Sequence, residues 1–178
     1  MKILSYLKNI FQKSDKSKYF SNEVSDLHNL PDDISDEENI ARFVFSPINV
    51  NPKSNKLKPN CFRPPAGLDE ISVNRYDYTT ASFLKSLALK MQTDKKEFFG
   101  LGIVKANKIR GNEFEVVYTP IELNPYHSDI KIGYTAVKNE ELPAEISYKL
   151  RKVLEETKLF IDRNTIDNEW LGDEIKNL

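Results

Sequence analysis

The stretch DIKIGYTAVKNEELPAEISYKLRKVLEETKLF, residues 129–160, decides the class of fold. In its first part Ile130, Ile132, Tyr134 and Ala136 fall on one side of an extended chain, with Lys131, Gly133, Thr135 and Val137 on the other. A period of two marks a half-buried strand. After Pro143 the period changes: Ile146, Leu150, Val153, Leu154 and Thr157 form one stripe. Glu145–Lys149 and Lys152–Glu156 make i, i+4 pairs on the opposite, wet side. Proline suits a first helical turn because its missing N–H has no intrahelical acceptor there. The spacing predicts a helix over 143–160.

Upstream, Asn124-Pro125 marks a turn, Phe114–Thr119 reads as a strand, and Phe98–Ile109 as another, with Gly111-Asn112 between them as a tight turn. Thr79 or Thr80 can cap a helix whose Leu84, Leu87, Ala88 and Met91 follow the i, i+3, i+4, i+7 rule, so a helix is expected over 80–92. Glu70–Tyr76 alternates, placing Ile71 and Val73 on one face. Ala41–Phe45 reads as a strand ended by Pro47, and 46–60, with Pro47, Pro52 and Pro59, as a loop. Downstream, Leu159–Ile161 suits a short strand, after which Ile166, Trp170, Leu171 and Ile175 could fold back on the body. The expectation is an α+β protein. Its sheet is mainly antiparallel, with a meander at about 98–137 covered on one face by the two helices.

Hydrophobic residues make up 39% of the chain and charged residues 30%, slightly low and slightly high for a globular protein. That shift suits a body of residues 40–178 preceded by unpacked segments. The net charge of −1 hides strong segregation. Residues 1–20 carry five lysines against Asp15, so +4; residues 21–41 carry seven acids and no Lys or Arg, so −7. Residues 21–39 are expected to be an acidic flexible linker. Within 1–20, Ile3, Leu4, Leu7, Ile10 and Phe11 share one helical side, a short basic amphipathic segment. Such a segment suits docking in a protein groove, peripheral contact with an anionic membrane, or packing on its own body.

Cys61 has no cysteine partner, and with only His28 and His127 there are too few soft ligands for a closed zinc site. A chain without a disulfide framework fits a reducing, cytoplasmic compartment. No apolar run approaches the ~18 residues of a membrane span, and Lys8 and Asn9 interrupt the opening MKILSYLKNIF. Abundant Lys, Asn and Ile with little Gly suit an AT-rich bacterial coding sequence. The near-neutral balance does not favour nucleic-acid binding, though Lys and Arg at 53–75, with Phe62 or Tyr76 for stacking, leave it open.

The phosphate-cradling, serine-hydrolase and zinc-hydrolase motifs are absent, and Gly100-Leu101-Gly102 lacks the third glycine of a dinucleotide fingerprint. No cofactor and no metal is called for. His127, in a turn before a strand with Asp129 two residues on, is the candidate acid/base, against the plainer reading of a satisfied surface turn. Arg63, stiffened by Pro64 and Pro65, and Arg75 are candidate clamps for an anion, against structural Arg–carboxylate pairs. The leading expectation is a non-enzymatic accessory module that docks on a protein through Ile3, Leu4, Leu7, Ile10 and Phe11, aided by the basic 53–75 edge. The alternative is a binding domain or enzyme for a phosphate-bearing or other anionic small molecule, using Arg63, Arg75, Asp129 and His127.

Overall fold

The computed structural model describes residues 30–175. Six strands form one antiparallel sheet in the order β6-β7-β4-β1-β5-β8. They are β1 (Asn39–Ser46), β4 (Glu70–Arg75), β5 (Glu97–Lys105), β6 (Glu115–Tyr118), β7 (His127–Lys131) and β8 (Lys158–Ile161). A separate hairpin pairs β2 (Val50–Asn51) with β3 (Lys56–Leu57). The helices are α1 (Ala81–Leu89), α2 (Ala106–Arg110) and α3 (Ala144–Glu155). The expected α+β class, with a mainly antiparallel sheet, is what the chain forms.

Alternation along β1 divides the core into two. Ile40 and Val44 join Phe62, Val73, Leu150 and Val153 on one face; Ala41 and Phe45 join Leu84, Ala88, Leu101 and Ile103 on the other. Helices α3 and α1 therefore cover opposite faces, rather than the same face as expected. Central strands carrying apolar side chains on both sides require this, since either face left open would expose them. In β5 the register slips between the pairs Val44–Gly100 and Phe45–Phe98, leaving Phe99 as the extra residue. This bulge reverses the alternation, so that Phe98 rather than Phe99 shares a face with Leu101 and Ile103.

The meander is limited to the β6–β7 hairpin. Strand β5 ends at Lys105, and Ala106 and Ile109 turn inward from a single helical turn that carries the chain away from it. The predicted turn at Gly111-Asn112 thus follows α2 instead of joining two paired strands. A helix of this length shows too little periodicity to be told from a strand end. Beyond Lys131 the alternation persists without ladder pairing: Ile132 and Ala136 are buried, and their N–H groups donate to the carbonyls of Asp69 and Leu68.

The packed body begins before position 40. Ile34 and Glu38 are buried, and the N–H groups of Ala106 and Asn107 donate to Glu38 and Asp36 carbonyls. Residues 30–38 are thus a strap along the face covered by α3, where a linker was expected. Its acids have cationic partners on the body: Glu38 meets Arg75, Asp36 meets Arg110, and Glu37 lies 3.7 Å from Lys105. The segment containing Ile3, Leu4, Leu7, Ile10 and Phe11 lies outside the described residues. Among the described residues, no helix is long and apolar enough to cross a membrane.

Candidate functional site

Arg75, at the end of β4, has no exposed surface. Its Nε and Nη2 donate to the two Glu38 oxygens at 2.5 and 2.9 Å. Its remaining donors reach the strap backbone, Nη1 to the Pro31 carbonyl and Nη2 to that of Asp33. The guanidinium lies between the rings of Tyr78 and Tyr118, 4.7 and 4.9 Å from their centroids. Burial alone would lower its pKa; the hydrogen bonds and charge of Glu38 outweigh that and raise it. Arg75 is thus the anchor of the strap, a structural cation with four of its five N–H groups donating within the chain.

Beside this anchor the strap and the sheet edge enclose a groove of about 560 Å³. Asp32, Asp33 and Asp36 come from the strap, and Val116, Val117 and Tyr118 from the outer strand β6. Arg110 stands at the α2 end, holding Asp36 and the Ile34 carbonyl. The groove thus has the sheet edge at β6 along one wall, with Tyr118 on the strap's side, and an excess of carboxylates along the other.

His127 and Asp129 lie on the opposite face. His127 pairs with Asn74, which pairs with Ala41, whereas Arg75 pairs with Ile40; neighbouring residues of a strand point to opposite sides. His127 Nδ1–H donates to the Thr119 carbonyl at 2.8 Å, with Thr119 Oγ1 at 3.1 Å. Thr119 Oγ1 in turn donates to Asp129 Oδ2 at 2.7 Å. His127 Nε2 is 3.9 Å from Asp129 Oδ1, a buried oxygen with no hydrogen-bond partner among the described residues. The 3.9 Å separation is too long for a hydrogen bond between ring and carboxylate, and the Thr119 hydroxyl is committed as a donor to Asp129.

Arg63 follows the turn Pro59–Phe62 and donates to the Glu140 carbonyl. A smaller groove of about 170 Å³ separates it from Ser147, Leu150 and Arg151 of α3. The structure therefore does not bring Arg63, Arg75 and His127 into one pocket. Cys61 is fully buried, and burial pushes its thiol pKa up to about 11. No group of three or more His, Cys, Asp or Glu among the described residues is placed to hold a metal.

A second buried ion pair was not legible in the sequence. Lys85 of α1 has no exposed surface, and its Nζ lies 2.9 Å from Asp162 Oδ2. Lys85 also donates to the Glu169 carbonyl, while Asp162 accepts from the N–H groups of Asn164 and Leu171. Burial alone would raise the Asp162 pKa; the hydrogen bonds from Lys85, Leu171 and Asn164 outweigh it and hold the carboxyl below its ordinary range. This pair fixes the tail that brings Trp170 and Ile175 onto the α1 side. Lys85 looks like an ordinary wet-face lysine, and only its odd position inside an apolar helical stretch hinted at burial.

Fold and sites together define an α+β sheet protein with a strap on each face, one held by Arg75 and the other by Lys85. No family model, no curated protein and no solved structure matches the chain.

Proposed function

We propose that this chain is a protein-interaction module whose basic amphipathic segment, residues 1–20, docks on a partner protein. The observation that supports this reading is the buried Glu38–Arg75 anchor, which holds the chain at Pro31, so that residues 1–29 precede a fixed strap. Segments with an apolar side and a lysine-rich side bind protein grooves through anchors one helical turn apart. Here those anchors are Leu4, Leu7 and Phe11 together with Ile3 and Ile10. The exposed Lys53 and Lys56 around the β2–β3 hairpin supply a second, basic contact edge.

The test compares proteins recovered with the full chain, with a chain lacking residues 1–20, and with Leu7→Asp/Ile10→Asp. A specific partner lost from both altered chains, and recovered by residues 1–20 on an unrelated carrier, supports the reading. The same partners on all three chains refute it.

A further inference from the structure

We infer that the acidic groove along β6 is a docking site in cis for residues 1–20, a resting position that competes with the partner; the inference rests on the function proposed above. Three observations converge on this occupant. The first is charge. Asp32, Asp33 and Asp36 against Arg110 leave the groove net negative, while residues 1–20 are +4, with Lys2, Lys8, Lys13, Lys16 and Lys18 against Asp15. The second is surface type. Val116 and Tyr118, on the strap's side of the outermost strand, offer a small apolar contact for part of the Leu4, Leu7 and Phe11 stripe.

The third is reach. The chain enters the described body at Leu30, next to Pro31, whose carbonyl Arg75 holds, and two residues before the first groove acid. Residues 21–29 can span at most about 30 Å when extended, ample for a segment that returns to a groove beginning at Asp32. A tether this short sets an effective concentration in the mM range. A contact too weak to form between separate molecules is therefore well populated within one chain. A partner must displace it, which lowers apparent affinity by the fraction of chains with the segment released.

The experiment uses the full chain with a nitroxide on Ser5→Cys; the buried Cys61 is left in place. Amide intensities are recorded at low salt, at about 1 M salt, where the Debye length falls to about 3 Å, and in Asp32→Lys/Asp33→Lys. The expected result is loss of amide intensity at 32–36 and 115–118, recovered in high salt and in the charge-reversed chain. No loss at these positions, or loss that neither salt nor charge reversal relieves, overturns the inference. A dispersed amide spectrum shows that the charge-reversed chain is folded, and Asp33→Lys alone serves if the double variant is not.

Partner capture separates this inference from the reading on which it rests. If capture still needs residues 1–20 but is no stronger in the charge-reversed chain, only the cis contact fails. If residues 1–20 sit in the groove but no partner needs them, the docking function fails.

Discussion

Glu38 and Arg75, 37 positions apart, meet through two hydrogen bonds with 3% and 0% of their side chains exposed. A pair so enclosed is costly to break from one side, because the survivor remains a buried charge without its counter-ion. Glu38→Ala is expected to lower unfolding free energy by about 3–5 kcal/mol, measured by denaturant titration. Arg75→Met/Glu38→Leu, which removes both charges, is expected to lose less than Glu38→Ala. A single variant within about 0.5 kcal/mol of the parent, the usual range for an ordinary surface change, contradicts this account of the strap.

The Lys85–Asp162 pair gives a pH dependence with a definite sign. The Asp162 carboxyl titrates below its unfolded value, so folding draws stability from its ionised form. That contribution is complete above the ordinary carboxylate range and is lost as pH falls through the depressed folded value. Trp170 is the chain's single tryptophan and lies in the tail this pair fixes, its ring 6.5 Å from that of Phe98. Tryptophan fluorescence should report release of the tail on acidification, and Asp162→Asn should show the released signal already at neutral pH. Equal signals from parent and variant at neutral pH would contradict the assignment.

Cys61 should resist thiol reagents. It is fully buried, and a pKa raised from 9.0 to about 11 leaves about 100-fold fewer thiolates at neutral pH. Labelling in the native state should therefore follow the opening of the body and speed up with mild denaturant. Immediate labelling of the folded chain would place Cys61 at the surface.

Gly100 permits a close approach of strands. A Cβ there would lie 2.0 Å from the Phe160 carbonyl oxygen, in the backbone of β8. Gly100→Ala must push β8 away from β5, with a cost of about 1–3 kcal/mol or more by overpacking. Increased amide exchange at 158–161 should accompany the loss. At Gly133, where an added Cβ meets nothing within 4 Å, the cost of alanine should come from backbone conformation alone, since φ is +67°.

How much of this was legible in the sequence follows from how local each determinant is. The Leu150–Val153 stripe and the Thr80 cap, whose side chain accepts from the Phe83 N–H, were readable because their partners lie within one helical turn. Strand β8 was readable as a strand but not as the neighbour of β5, since that pairing is set across 55 positions, from Ile103 to Lys158. The same distance effect hid the strap. Five acids within positions 32–38 read as solvated chain until Arg75, Lys105 and Arg110 are seen to face Glu38, Glu37 and Asp36. For the candidate site, Arg75, His127 and Asp129 were singled out by residue type, and Glu38, Thr119 and Lys85 were missed. Strand alternation then decided that Arg75 and His127 part to opposite sides, which spacing alone could not reveal without the register of β4 against β1 and β7.

The two straps also fasten from opposite sides. Pro31 is held by Arg75 on the side covered by α3, and Ile175 packs on the side covered by α1. Loosening one uncovers only its own side of the sheet, as two buckles on opposite sides of a satchel open separately.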